Sequence, residues 1–160
     1  MDERMTNERF LAELRAEHAR WETLLARIPP ERMTLPGVVG EWSVKDVVAH
    51  VTWHEREMVG VLETRRLAGS PLWDQPQHIR NAAIYAEHRN QPLAVVLAEA
   101  REVFSRLLAA VETLPAGALI DAAAFAEMPP DWVPWEMIAG NTFEHEREHG
   151  AEITAWLTGG

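Results

Sequence analysis

Seven histidines and no cysteine set the chemistry open to this chain. Without a thiol there is no disulfide, no thiolate metal site and no cysteine nucleophile, so a metal must be held by imidazole and carboxylate. The histidines fall in a pattern. His145 and His149 are four apart in a segment of helical period, where side chains at that spacing are neighbours with Cβ atoms about 5–6 Å apart. Both lie on its inward stripe, which reads Ile138, Thr142, His145, His149, Ile153, Trp156. His50 likewise stands where an apolar residue belongs, on the stripe of an earlier segment beside Val47 and Val51. Adjacent neutral imidazoles in a core each need a partner. Three converging from facing helices can instead share one ion. Three histidines without a fourth protein ligand is the pattern of a catalytic metal, whose open position takes water or substrate. Such an ion lowers the pKa of a water to about 7 or polarises a substrate oxygen, and it could equally activate a thiolate. Imidazole suits Zn, Ni, Cu and Fe alike.

Three further residues bear on the site. His54 follows His50 by four, a second pair of the same spacing. With the helix rotated it replaces His50 or joins it; nearer the mouth it faces substrate; a half-exposed surface histidine is the bland alternative. His54 and Glu57, three residues on, are the candidate catalytic bases, since a base must reach the nucleophile within one hydrogen bond or one water. His18 lies on the stripe of the first segment, but it has no paired histidine on its own helix and is flanked by Glu17 and Arg20, so it reads as a core-edge residue rather than a ligand. The run from His145 to His149 also matches H-E-x-x-H, the metalloprotease signature. The match reads as accidental. Little chain follows His149, Glu152 stands where the extended motif has glycine, and no strand supplies a substrate-binding edge. Glu146 and Glu148 are then expected on a solvated face, and Glu144 lies off the stripe.

The elements that must position these groups are helical. The first segment, about 6–28, has the stripe Leu11, Leu14, His18, Trp21, Leu25, Ile28 and stops at Pro29-Pro30. The second opens at Ser43, where Ser43 and Asp46 form a capping box with Asp in place of Glu, and is expected to stop near Ala68-Gly69. The third, from 91 or 92 to 114, repeats Leu93, Leu97, Ala100, Phe104, Leu107, Val111, Leu114. The fourth is expected as one helix over 134–157, with Gly159-Gly160 as its stop. Residues 70–91 form a long connection broken by Pro71 and Pro76, with a short helix expected over 78–88. Strand alternation, internal repeats and linkers are absent. Residues 1–160 therefore read as one all-α domain, a four-helix bundle with a long crossover between helices 2 and 3. Trp73, Trp132 and Trp135 adjoin irregular segments, where large aromatics can line a pocket; Asn81, Tyr85 and His88 fall in the crossover, where a lid could sit.

The formal charge is −10, from 25 acids against 15 bases. With no basic face to displace counterions from phosphates, the expectation is no nucleic-acid partner. No apolar run reaches the roughly 20 residues of a membrane span, and Met1 to Arg9 carry no apolar signal region, so no membrane association and a cytoplasmic address are expected.

Two stretches resemble a known family. GEWSVKDVVAH, residues 40–50, is similar to the second-helix motif of the DinB-like metal-binding four-helix bundles, and NTFEHEREHGAEITAWL, residues 141–157, is similar to their last-helix motif. The stretch from Trp73 to Leu114 resembles the DfsB/ClbS branch. The resemblance implies an up-up-down-down bundle with a divalent ion, zinc or nickel, held by His50, His145 and His149. It also implies homodimers, a small-molecule substrate, and chemistry that elsewhere in the superfamily uses mycothiol, bacillithiol or glutathione as a low-molecular-weight thiol, or in this branch hydrolyses an electrophilic genotoxin. The leading expectation is a metal-dependent enzyme acting on a small electrophile by thiol transfer or hydrolysis. The alternative is a non-catalytic or metal-free protein that binds and sequesters a small molecule for self-protection. A bundle whose ion only stabilises the fold is the third.

Overall fold

The computed structural model describes residues 4–159, so Met1 to Glu3 of the N-terminal stretch and Gly160 of the expected terminal stop lie outside the described residues. Thr6 opens α1 (Asn7–Ala26), its hydroxyl accepting the Arg9 amide at 3.1 Å. The capping box opens α2 (Val44–Thr64) as expected: Ser43 accepts from the Asp46 amide and the Asp46 carboxylate accepts from the Ser43 amide at 2.9 Å. The crossover carries α3 (Gln77–His88). Then come α4 (Leu93–Glu112), α5 (Pro134–Gly140) and α6 (Phe143–Gly159). No named strand occurs among the described residues.

Helix α1 packs on α4 and α6, and α2 packs on α4, α6 and α3. The long helices α1 and α2, successive in the chain, thus lie across the bundle from one another, as crossover connections require and simple hairpins would not. The interior divides into two apolar clusters. One holds Phe10, Leu14, Leu62, Leu107 and Ile138; the other holds Trp21, Val44, Val47, Val48 and Ile153. Each long helix contributes to both. Between the two sets of positions, α1 carries Glu17 and His18, α2 carries His50, His54 and Glu55, and α6 carries His145, Glu146 and His149. All of these are buried except His18, which is largely so. The bundle therefore has a polar waist.

Two boundaries differ from expectation. Helix α2 ends at Thr64, because Arg65 turns left-handed (φ 54°) and the chain pairs instead with the segment at 126: Leu67 N–H donates to the Ala126 carbonyl and Ala126 N–H to the Arg65 carbonyl, both at 2.8 Å. The last segment is two helices. At the break Asn141 Nδ2 donates to the Met137 carbonyl at 2.9 Å and the Thr142 hydroxyl to the Ile138 carbonyl at 2.8 Å. Asn141 thus satisfies the Met137 carbonyl that the interrupted ladder leaves open, while the Ile138 carbonyl also accepts the Asn141 amide at 3.2 Å.

Candidate metal centre

His50 from α2 and His145 and His149 from α6 meet as their stripes require. Their potential ligand nitrogens all lie within 4.8 Å of one another. His145 Nε2 is the hub, 3.2 Å from His50 Nε2 and 3.0 Å from His149 Nε2. Hydrogen bonding does not account for this convergence. The Glu152 carboxylate lies 3.2 Å from His149 Nδ1, so that nitrogen carries the proton and Nε2 is a bare lone pair. If His145 Nε2 is also bare, two lone pairs face each other. If it carries a proton, it donates that proton to His149 and leaves His50 without a proper partner. A cation at the centre accepts all three lone pairs. The two spacings about His145 fit: bonds of about 2.0–2.1 Å in a tetrahedral zinc site put ligand nitrogens about 3.3 Å apart. The donor set of three imidazoles thus fits a divalent ion.

Burial keeps His50, His54 and His145 neutral. Burial, and then the charges His54, His149 and Arg80 would present, push His50 down to about 3. Burial and the neighbouring histidines push His145 down to about 2. His54 is lowered to about 4, again chiefly by burial, although its hydrogen bond to Asn141 works the other way.

His54 lines the same cavity but does not join the three ligands. Its Nδ1 lies 2.9 Å from Asn141 Oδ1. Asn141 Nδ2 is committed to the Met137 carbonyl, so its oxygen must accept, and His54 Nδ1 is the donor. His54 Nε2 is left as a buried lone pair without a partner. Glu57 stands elsewhere: it is not part of the cavity wall, and its Oε1 accepts the Ser70 amide at 2.6 Å and the Trp73 indole N–H at 2.8 Å. Gly69 lets the crossover approach, since a Cβ there would lie 2.6 Å from that oxygen.

The cavity above the histidines has a volume of about 650 Å³ and is walled by Trp42, Trp73, Arg80, Asn81, Tyr85 and Asn141, among others. Trp42 stacks on Tyr85 with ring centres 6.1 Å apart, so it is a cavity wall as well as the residue preceding a helix cap. His88 turns away, its Nδ1 2.8 Å from the Ile84 carbonyl. Trp132 borders a second, more apolar cavity of about 640 Å³ that shares Trp73 and Asn141 with the first.

The sequence matches the mycothiol maleylpyruvate isomerase N-terminal domain over residues 14–153. The chain belongs to that family. The expected DinB-like bundle is thereby borne out, and solved structures of the same fold agree. An uncharacterised protein from Escherichia coli UTI89 superposes with a TM-score of 0.77 at 15% identity, covering 98% of this chain and 95% of the other. The colibactin self-resistance protein ClbS does so at 0.77 and 14%, covering 98% of each chain. A protein from Streptococcus pneumoniae gives 0.78 and 14%, covering 98% and 93%. No curated protein matches the sequence. ClbS was crystallised with double-stranded DNA. That finding overturns the exclusion of nucleic acid drawn from the charge of −10. A total charge sums over every face, whereas contact with phosphates depends on one local surface. No helix among the described residues is long and apolar enough to cross a membrane.

This family member also holds a second buried polar group that sequence reasoning placed in solvent. Glu146, 2% exposed, lies 2.9 Å from His18 Nδ1, and Glu55 from α2 packs against it. Burial raises Glu55 well above the usual carboxylate range and pushes Glu146 up to about 7. A signal existed. Val48, Thr52, Glu55, Val59 and Leu62 form a second stripe on α2, and Phe143, Glu146, Gly150 and Ile153 one on α6, each in steps of three and four.

Proposed function

We propose that this protein is a metal-dependent enzyme acting on a small electrophilic molecule, by thiol transfer or hydrolysis. The observation that carries the reading is the convergence of three imidazole Nε2 atoms on the floor of an open cavity, with no fourth ligand in the group. A divalent ion, zinc or nickel, held by His50, His145 and His149 supplies Lewis acidity sufficient to activate a water or a low-molecular-weight thiol at neutral pH. His54 takes the proton: its Nε2 lone pair faces the site while Asn141 fixes the ring through Nδ1. Glu57, engaged by Ser70 and Trp73, holds the crossover in place instead. Burial of the histidines excludes bulk water from the floor, and the aromatic wall of Trp42, Trp73 and Tyr85 gives a flat apolar substrate a surface to lie on. The reading keeps the protein in the cytoplasm, where thiols are held reduced.

The second cavity supports the rival reading of a sequestering protein, because Met58, Val61, Leu67 and Trp132 offer an apolar surface with no reactive group. One experiment separates them. Elemental analysis of the purified protein should find about one divalent ion per chain, lost in His145→Ala/His149→Ala. The loaded protein should then consume an epoxide in the presence of mycothiol, bacillithiol, glutathione or water alone, and His54→Gln should slow that turnover without releasing the ion. No metal in the wild type even after reconstitution would end the enzyme reading and leave the sequestering one.

A further inference from the structure

We propose that the second cavity receives an apolar arm of the molecule whose reactive group lies over the histidines, so that the ligand has two parts, a compact electrophilic head joined to an alkyl or aryl arm. The inference rests on the reading of the histidine cavity as the reactive site, and it specifies what the molecule must carry away from its reacting atom. The two cavities meet at Trp73 and Asn141, which line both. Both side chains are tied down. The Trp73 indole N–H donates to Glu57 at 2.8 Å, and Asn141 is held between the Met137 carbonyl and His54. Both also border His54, whose ring centre lies 5.4 Å from that of Trp73 and whose Nδ1 lies 2.9 Å from Asn141 Oδ1. A substituent that extends past these two side chains leaves the histidine floor and enters the second cavity.

The chemistry changes beyond them. The second cavity, about 640 Å³, is nearly as large as the first, but among the described residues no histidine, lysine or arginine lines it. Its base is Met58 and Val61 of α2, only 3% and 2% exposed, with Leu67, Met137 and Trp132 at its sides. Its carboxylate, Asp74, disfavours an anionic arm. Trp132 stands 44% exposed there, a large ring half in water that an apolar group seated in the cavity would cover. Burial of apolar surface gains about three- to fourfold in affinity per methylene. Met58 and Met137, with flexible thioether chains, adapt to arms of different shape. Nothing in this cavity can react, so what it supplies is binding remote from the reacting atoms, which can be spent on orienting the head above the floor.

The test is calorimetric titration of the zinc-loaded protein with straight-chain alkanehydroxamates, from acetohydroxamate to decanohydroxamate, whose head chelates the ion and whose arm alone varies. Affinity should rise about three- to fourfold per methylene through the middle of the series. Ala68→Trp and Met137→Trp each put a ring into the second cavity from a position that does not line the first. Ala68 is exposed and Met137 half-buried, so both variants should keep the fold, which circular dichroism checks. In both the rise should vanish while acetohydroxamate binds as before. On metal-stripped wild type the series should bind more weakly but keep its slope, because the slope belongs to the arm. The enzyme reading fails on metal content alone, and its failure leaves that slope measurable. A flat series on the wild type, a slope lost on stripping the metal, a slope that survives both tryptophans, or variants that weaken acetohydroxamate as much as the long members would each overturn the assignment.

Discussion

Lowering the pH of the metal-free Glu55→Gln/Glu146→Gln variant should destabilise it, by an amount set by the histidines of the polar waist. His50 is held down to about 3, His54 to about 4 and His145 to about 2, each chiefly by burial. In the folded chain these rings stay neutral from about pH 7.5 to about pH 5.5, whereas in the unfolded chain they take protons near 6.5. The unfolded state then binds more protons, so the stability is fully present above the unfolded pKa and declines as pH falls below it. Across that interval each ring costs about 1.4 kcal/mol, or about 4 for the three. His18, also lowered by burial, acts in the same direction. The carboxylates oppose this. Glu146 is pushed up to about 7, so its folded form takes a proton first and stability rises as pH falls through that value. Its contribution is about 2 kcal/mol over the same interval, and Glu55, raised well above the usual carboxylate range by burial, adds to it. Replacing both carboxylates leaves the histidines unopposed, a loss of about 4 kcal/mol and a fall in Tm of about 8–16 °C for a chain of this size. Thermal unfolding followed by circular dichroism in chelator, at the two pH values, reads it. The wild type, with both carboxylates in place, should lose less. A Tm of Glu55→Gln/Glu146→Gln that is unchanged or higher at the acid pH would refute the reasoning, since the imidazoles could not then be held neutral by the fold.

Zinc at a hundredfold excess over its Kd should stabilise the protein by about 2.7 kcal/mol. That corresponds to about 5–10 °C in Tm, and His145→Ala/His149→Ala should show no shift. Gly69→Ala forces a Cβ to 2.6 Å from Glu57 Oε1 and 3.1 Å from Trp73 Nε1, and chemical denaturation should show a loss of about 1–3 kcal/mol. Leu107→Ala, at a position with no exposed surface in the larger apolar cluster, should lose about 2–5 kcal/mol by the shift in urea midpoint.

The bundle is legible because its stripes run in unbroken steps of three and four, and the same stripes set His50, His145 and His149 on inward faces. What escaped depends on contacts that a single apolar stripe does not encode. The early end of α2 at Thr64 comes from hydrogen bonds to residue 126, about sixty positions away, which no local pattern encodes. The break at Asn141 is hidden because the stripe Ile138, Thr142, His145 keeps its period across it, while Asn141 satisfies the freed Met137 carbonyl with its own side chain. Glu57 was read by its spacing from His54, yet its partners Ser70 and Trp73 lie in the crossover, whose path the period of α2 does not predict. Glu146 lies off the first stripe of α6, and a bundle helix wedged between two neighbours buries more than one.

Apart from the wall at Val39 to Trp42, the chain divides the labour of its cavity between the bundle helices and the crossover. The floor is written into α2 and α6, whose every inward residue is constrained by the bundle core. The roof, with Trp73, Arg80, Asn81 and Tyr85, is written into the crossover, which fastens to the bundle through the single carboxylate of Glu57 and the cap around Lys45, whose ammonium holds the Arg89 and Gln91 carbonyls. Recognition and reactivity are thus separately editable. Exchanging residues 70–91 between relatives, with Glu57 and Lys45 retained, transplants a ligand preference onto an unchanged reactive floor, and it gives this architecture a route to new substrates that never passes through a redesigned core.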